Sequence, residues 1–309
     1  MPTRVVLVSL LAGAVAMACP LSAFAQAAST ADPVAQATAP SAPATEPPPA
    51  TAAVVEIDQT LVNLPTTQPL LRHHGYFRLT HRFARDLFRG SFGDLAQDFF
   101  SLDSGAVMGL EYRYGITSTL QAGAHRSTLG KTLEPFARWD VVRQSTHMPV
   151  SISPILSIEG QNNLRQDPQP GVSVTVSHVH STWMSVYATP AYVHNSHTET
   201  LRLLHEGHMH DLGDAEDPDE HSTAVDTFYL GLGARVRVLE TVSFAVESAP
   251  RISGYKPDYA AWGAAIEKET HGHVLQLNFG NSFSTTPGMI ARGGAKGEVY
   301  LGFNLSRKF

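Results

Sequence analysis

Six histidines and eight acidic residues occur together between positions 194 and 221. Imidazole and carboxylate groups in one loop suit Zn²⁺, Cu²⁺ or Ni²⁺. The spacing is irregular, however, and an external loop of this composition is also compatible with simple hydration. The sequence therefore leaves two interpretations open, a metal-binding loop or a solvated extracellular loop. The candidate ligands are His194, His197, His205, His208, His210 and His221.

Two short patterns in this loop have the residue types of hydrolases. His205-Glu206-Gly207-His208 is one residue shorter than the H-E-x-x-H motif, so its two imidazoles do not share one helix face in the geometry that zinc proteases use. Asn195-Ser196-His197 supplies a hydroxyl and an imidazole, but neighbours in sequence do not form a catalytic triad. A hydrolase is thus a third interpretation of this loop, with no catalytic residue assigned.

Charged residues recur at every second position of several apolar segments, which indicates strands with one charged and one apolar face. In one segment Tyr229, Gly231, Gly233, Arg235 and Arg237 alternate with apolar residues. Arginine and acidic residues nearly balance, which favours ion pairs that hold a wall over a strongly selective pore. The predicted inward-facing charges are Arg78, Arg82, Glu111, Arg113, Glu134, Arg138, Asp140, Arg235, Arg237, Glu247, Arg251 and Glu267.

The last twelve residues show the same alternation. Val299, Leu301, Phe303 and Leu305 fall on one face, and the chain ends on the aromatic Phe309. A terminal strand of this kind is typical of bacterial outer-membrane barrels, so we expect Phe309 to act as the signal for the barrel-insertion machinery.

From position 73 onward the chain reads as about twelve segments of strand length. The predicted strands are 75–83, 105–114, 119–126, 132–142, 148–158, 171–179, 183–194, 224–238, 242–251, 260–267, 273–283 and 298–309. The connections alternate between short turns and longer loops, which favours a membrane barrel over a soluble sandwich. The fold prediction is an all-β, transmembrane, antiparallel up-and-down β-barrel.

Two connections contain features of their own. The connection at 84–104 carries aromatic residues at partly helical spacing, so it folds into the barrel mouth or forms a short helix on the rim. The glycine-containing stretch 284–297 is predicted to be a hairpin loop, and 159–170 is predicted to be a long loop.

The N-terminal region predicts export. Arg4, the apolar run after it and the small residues of Ala23-Phe24-Ala25 indicate a signal peptide at 1–25, cleaved near Ala25 and Gln26. Cys19 lies inside this signal, and its flanking residues match a lipoprotein signal poorly. Residues 26–53 form a predicted Ala/Pro-rich disordered linker, 54–72 a lead-in or plug segment, and 73–309 the barrel.

Several motifs resemble those of a known family. Phe77-Arg-Leu-Thr-His-Arg-Phe83, Leu102-Asp-Ser-Gly105, Gly109-Leu-Glu-Tyr-Arg-Tyr-Gly-Ile-Thr117 and Met148-Pro-Val-Ser151 are similar to motifs of the family of domain of unknown function 5777. This resemblance covers roughly residues 73 to 309 and implies an outer-membrane β-barrel. It implies no catalytic residues.

The net charge of −6 argues against a nucleic-acid partner. The predicted partners are outer-membrane lipid, the insertion machinery and small polar solutes. The first functional hypothesis is a narrow pore or uptake component in the outer membrane of a Gram-negative bacterium. No cofactor is expected, apart from the Zn, Cu or Ni that the histidine-rich loop suggests.

Overall fold

The computed structural model describes residues 56–103, 105–197, 225–255 and 259–309. The predicted signal peptide, the predicted linker and positions 198–224 of the histidine-rich loop lie outside these residues. No helix among the described residues is long and apolar enough to cross a membrane.

The described chain forms one antiparallel sheet that closes on itself. Its strands are β1 (Gly75–Asp86), β2 (Ala106–Gly115), β3 (Leu120–Ser127), β4 (Leu133–Trp139), β5 (Ser151–Gly160), β6 (Gln166–Ser181), β7 (Met184–His197), β8 (Val225–Leu239), β9 (Val242–Ala249), β10 (Arg251–Ser253), β11 (Ala261–Thr270), β12 (His273–Gly280) and β13 (Tyr300–Lys308). Strand β1 pairs with its neighbour β2 and with the last strand, β13, and β8 pairs with β9 to complete the ring. Pro250 divides β9 from β10, and both parts pair with β8, so the barrel wall has twelve strands.

Alternation along each strand separates an apolar outer face from a polar inner face. In β2, exposed Met108, Leu110 and Tyr112 alternate with buried Glu111 and Arg113. Leu156, Val246 and Leu275 continue the exposed apolar band around the ring. A closed ring leaves no unpaired strand edge, which is the condition for a sheet to cross a bilayer. The predicted fold class is confirmed.

Aromatic residues mark both ends of the apolar band. Trp139 and Trp183 are exposed at the end of the barrel where β1 begins and β13 ends, which we call the terminal end, and Trp262 is exposed at the opposite end. Such aromatic girdles stand at the two interfaces of a membrane barrel.

Connections at the two ends differ in length. The turns β6–β7, β8–β9 and β11–β12 at the terminal end have two residues each, whereas loops of up to about twenty described residues lie opposite. Two predicted bounds were wrong. The stretch 159–170 is strand except for a tight turn, α2 (Gln161–Leu164), in which Asn162 and Asn163 have left-handed φ values. At the terminal end, the connection between β4 and β5 comprises residues 140–150 and is longer than the turn at 143–147 that the predicted strands imply.

The lumen is filled by two segments that are not part of the wall. Residues 56–71, which we call the inner segment, precede β1 and turn back on themselves through the hydrogen bonds Leu61 N–H to Leu64 O and Thr66 N–H to Gln59 O. Residues 281–299, the outer loop, connect β12 to β13 and contain helix α3 (Pro287–Arg292), which is buried.

The two segments meet inside the barrel. Leu61, Val62 and Leu64 of the inner segment share one buried apolar cluster with Ile290 and Ala291 of the outer loop. The wall contributes mostly small residues and tyrosines to this cluster, namely Tyr187, Ala191, Val193, Tyr229, Ala245, Ala249 and Ala265. The apolar core of this protein is thus a contact between inserted segments and wall, surrounded by polar side chains.

Candidate functional site

The predicted inward charges lie inside the barrel, where seven of them form ion pairs among themselves. Ten of the twelve are buried: Arg78, Arg82, Glu111, Arg113, Glu134, Arg138, Asp140, Arg235, Glu247 and Glu267. A buried charge requires a partner, because taking it out of water is costly. The pairings described below therefore decide how this lumen is built.

Three acidic side chains on the wall hold arginines. Glu111 pairs with Arg113 and lies 3.5 Å from Arg78, measured from carboxylate oxygen to guanidinium nitrogen. Asp140 accepts a 2.8 Å hydrogen bond from Arg138. Glu267 binds Arg235 through two hydrogen bonds of 2.7 and 3.0 Å, the bidentate geometry that orients a guanidinium most firmly.

Glu247 on β9 has no arginine partner of this kind. Its carboxylate instead accepts hydrogen bonds from the backbone amides of Val62, Asn63 and Leu64 at 2.9 to 3.0 Å, and another from the Asn63 side-chain amide at 3.0 Å. Successive amides that converge on one anion form a nest, a strong anion-binding arrangement. This nest fixes the tip of the inner segment to the wall.

Basic residues of the wall bind the same segment from other directions. Arg138 donates to the side-chain oxygen of Gln59 at 3.0 Å, and Arg82 donates to the side-chain oxygen of Asn63 at 2.9 Å. Lys308 on β13 donates to Ile57 O at 2.8 Å. The buried charges therefore stabilise the inner segment as well as the wall.

Sequence analysis did not single out the charges that hold the outer loop. Glu159 on β5 accepts a 2.9 Å hydrogen bond from the amide of Gly288, and its carboxylate lies 3.8 Å from the guanidinium of Arg292. Arg292 also donates to Gln169 and to the carbonyl of Ser196. The stretch predicted to be a hairpin loop therefore folds into the barrel, because a buried carboxylate binds the first turn of its helix.

Between the inserted segments and the wall a cavity of about 50 Å³ remains. Arg78, Glu111, Arg113 and Glu134 line it, together with Tyr229 and Ile290. This volume is too small for a solute larger than a few water molecules. At this level of the barrel, the inserted segments leave no room for a solute between the described residues.

The other two predicted charges occupy the ends of the barrel. Arg251 on β10 donates to the carbonyl of Ile290 at 3.1 Å and to that of Tyr259 at 3.3 Å. Arg237 follows Arg235 on the inner face of β8 and is half-buried near the terminal end.

The predicted metal ligands are only partly described. Nδ1 of His194 lies 2.7 Å from a carboxylate oxygen of Asp226, which also accepts hydrogen bonds from Tyr192 and from the amide of Asn195. The backbone of His197 ends β7. His205, His208, His210 and His221 lie outside the described residues, and within those residues no three metal-ligating side chains cluster.

Ser196 of the hydrolase interpretation is buried against β8. Its hydroxyl oxygen lies within hydrogen-bonding distance of Val225 O, at 3.1 Å, and of the Thr227 hydroxyl, at 2.6 Å. These contacts direct the oxygen into the wall, away from solvent.

The loop after β1 forms the rim helix that was one of its two predicted alternatives. Helix α1 (Phe92–Gln97) begins with a capping box in which Ser91 and Asp94 exchange hydrogen bonds, and these bonds lower the pKa of the Asp94 carboxyl. Phe88, Phe92 and Phe99 are exposed, so this loop does not fill the mouth.

Phe309 stands at the closing seam of the barrel. Its amide donates to Gly75 O at 3.0 Å, and the amide of Gly75 donates to Phe309 O at 2.7 Å. The ring is exposed and packs beside Tyr112 on the outer surface. This position is compatible with the predicted insertion signal, which remains a prediction.

The comparison with family models matches residues 58–309 to the membrane-bound β-barrel domain, domain of unknown function 5777. The chain belongs to this family. The match begins within the inner segment, so the family domain includes part of that segment as well as the wall. A search of curated proteins found no match.

Solved barrels of similar shape differ strongly in sequence. The NanC porin shares 8% identity with a TM-score of 0.47, over 76% of this chain and 100% of that one. A KdgM porin in complex with disordered oligogalacturonate shares 8% identity with a TM-score of 0.47, over 76% of this chain and 99% of that one. Outer membrane phospholipase A from Escherichia coli shares 9% identity with a TM-score of 0.37, over 76% of this chain and 90% of that one.

Proposed function

We propose that this protein is an outer-membrane channel for small polar solutes, and that the inner segment and the outer loop keep it closed. The observation that carries the proposal is that the obstruction does not belong to the wall. Every strand of the ring is paired on both sides without help from either inserted segment. The wall therefore keeps its hydrogen bonds when the lumen opens.

The chemistry of the inner face supports passage of polar solutes. The Tyr76 hydroxyl, the Thr80 hydroxyl, both ring nitrogens of His125 and the side-chain amide of Gln121 are buried without a hydrogen-bond partner in the described part of the chain. Buried polar groups are costly unless they are hydrogen-bonded, so these groups suit a path along which water and polar solutes provide the partners.

The architecture and the predicted export signal support an outer-membrane compartment. A closed barrel with an apolar outer band and aromatic girdles is built for a bilayer, and barrels of this kind occur in outer membranes. The predicted signal peptide would deliver the chain across the inner membrane, and the C-terminal strand with Phe309 would present it to the insertion machinery.

The test is planar-bilayer conductance of the full-length protein with the inner segment free or covalently attached. A Cβ added to Gly263 on β11 would lie 3.1 Å from the Cβ of Val62. Disulfides need a Cβ–Cβ distance of about 3.5 to 4.5 Å, so a shift of a few tenths of an ångström accommodates a bond in Val62→Cys/Gly263→Cys. The one native cysteine, Cys19, lies in the predicted signal peptide.

We expect opening events from the wild type and from the reduced double variant, and none from the oxidised double variant. The single variants Val62→Cys and Gly263→Cys should conduct under both conditions. If the wild type and the reduced variant stay silent at every voltage, the channel proposal is wrong. If the oxidised variant conducts as well as the reduced one, the inner segment is not what closes the channel.

A further inference from the structure

The wall recognises the inner segment mainly through its peptide backbone. Five backbone carbonyls of the segment accept hydrogen bonds from wall side chains, in addition to the three amides that bind Glu247. The donors and acceptors are Lys308 to Ile57 O at 2.8 Å, Arg235 to Thr60 O at 2.7 Å, Gln276 to Leu61 O at 2.9 Å, Asn304 to Val62 O at 3.1 Å and Arg138 to Gln68 O at 2.9 Å.

These donors come from strands around the ring. Arg138 lies on β4, Arg235 on β8, Gln276 on β12, and both Asn304 and Lys308 on β13. Glu247 lies on β9, beside β8 in the wall. An extended chain with a turn at its tip therefore meets donors and one acceptor at intervals along its length. A sugar or a single ion lacks this spacing of carbonyls and amides.

Glycines in the wall provide space for the apolar side chains at the tip. A Cβ at Gly233 would come within 2.2 Å of Leu61, and a Cβ at Gly231 within 2.7 Å of Leu64. Gly263 stands against Val62 in the same way. A larger residue at any of these positions would have to displace the segment or itself, so the three glycines form sockets for three residues of the turn, Leu61, Val62 and Leu64.

We propose that the lumen is a binding site for a linear peptide that enters from the terminal end with a tight turn leading, and that the inner segment occupies this site as an internal ligand. The backbone contacts and the glycine sockets make peptides the class of solute that competes for it. The proposal deepens the proposed function by naming that class, and it rests on the channel only for passage, because binding can be measured without conduction.

The binding test leaves the wall unchanged and weakens the internal ligand. In the full-length variant Leu61→Asp/Leu64→Asp, two carboxylates replace the side chains that fill the sockets beside Glu247. The probe is a fluorescent synthetic peptide with the sequence of residues 56–71, followed by anisotropy with detergent-solubilised protein. We expect it to bind this variant at least tenfold more tightly than the wild type, in which the internal segment competes. The oxidised Val62→Cys/Gly263→Cys protein should not bind it.

Two control peptides test the mode of recognition. A peptide N-methylated at Asn63 lacks one amide donor to Glu247 and should bind at least tenfold more weakly. A scrambled peptide of the same composition should not bind. Equal binding of the scrambled peptide, or no binding of the native peptide to a folded Leu61→Asp/Leu64→Asp barrel, would overturn the proposal.

A second measurement serves if that variant does not fold. A protease site inserted between Leu71 and Arg72, where Leu71 is exposed, allows the chain to be cut after the barrel has folded. The cut fragment should remain bound or be exchanged for the labelled peptide in a saturable manner, and either result supports a peptide site. Loss of the fragment without uptake of labelled peptide contradicts it. A peptide that binds while the bilayer stays silent refutes only the channel.

Discussion

The inner segment and the outer loop fill the same lumen, but they are attached to the barrel differently. The inner segment is joined to a strand at one end only, through residues 72–74 to β1, whereas the outer loop is joined to β12 and β13. The inner segment is hydrogen-bonded to side chains of β1, β4, β6, β8, β9, β12 and β13, whereas helix α3 of the outer loop is hydrogen-bonded to β5, β6, β7 and β10. One element can withdraw along the barrel axis, and the other can only swing about its two ends.

This difference indicates which of the two segments can act as the gate, that is, the segment whose movement opens the proposed channel. Withdrawal of the inner segment breaks many contacts together, because they share one short stretch of backbone. Movement of the outer loop breaks the contacts of Glu159 and Arg292 and removes Ile290 and Ala291 from the shared apolar cluster, but it leaves the hydrogen bonds between the inner segment and the wall intact. We therefore expect conduction to depend on the inner segment, and changes in the outer loop to remain local.

The largest effect is expected from Glu247→Ala. The substitution removes the acceptor for three buried amides and for the Asn63 side chain. A buried donor without a partner costs about 1–3 kcal/mol, and a combined change of about 3 kcal/mol raises the open-to-closed ratio roughly 10²-fold. Single-channel recording measures this ratio. Glu247→Gln keeps one acceptor oxygen and should give an intermediate increase.

An open-to-closed ratio in Glu247→Ala equal to that of the wild type would show that the nest does not hold the gate. The comparison would then favour the outer loop as the obstructing element. Because the nest amides belong to a turn that is also closed by Leu61 N–H to Leu64 O, amide exchange of that turn checks that the variant released the tip.

A smaller effect is expected from Gly233→Val. Its side chain would occupy the space of the Leu61 methyl, 2.2 Å from the position of the new Cβ. Leu61 is flexible at that end and can give way in part, and overpacking of this kind costs about 1–3 kcal/mol, so we expect roughly a tenfold increase in openings. Gly105→Ala is the control, because no atom lies within 4 Å of its added Cβ. If the frequency of openings in Gly233→Val equals that of the wild type, Gly233 does not form a socket for Leu61.

Glu159→Gln is expected to loosen helix α3 locally without changing the conductance. The amide keeps an acceptor oxygen for Gly288 but loses the charge that faces Arg292, whose guanidinium retains Gln169 and the Ser196 carbonyl as partners. We expect amide exchange in α3 to rise about fivefold, for a loss of about 1 kcal/mol, while the conductance stays that of the wild type. If Glu159→Gln opens the channel as Glu247→Ala does, the outer loop is the gate.

Alternation in the sequence was sufficient to predict the wall, because each strand needs only its own residues to define two faces. The facing of β8 and β13 follows directly from period two. The inserted segments could not be predicted in this way. Glu247 binds an amide 185 positions earlier in the chain, and Glu159 binds one 129 positions later. No local pattern encodes such contacts.

The wrong bound at 159–170 has a local cause. Asp167, Pro168 and Pro170 have the composition of a loop, yet they belong to β6, where pairing with β5 continues to Gln169. Prolines are tolerated in strands at positions where the amide is not needed for the ladder. The glycines of the outer loop favour a turn. They do not indicate that Glu159 binds this loop inside the barrel. The rim helix after β1 was predictable because its spacing is local.

The smallest effect is expected from Lys308→Met, at the base of the inner segment. Lys308 donates to Ile57 O and to the Gln68 side chain, but it is only half-buried near the terminal end, where water can replace it. Loss of these bonds should cost about 1 kcal/mol and raise openings roughly fivefold. Arg307→Gln is the matched control, because the neighbouring Arg307 faces outward and is exposed. Equal effects of the two substitutions would mean that the base of the segment does not restrain the gate, and that the tip alone, through Glu247 and the glycine sockets, holds the inner segment in place.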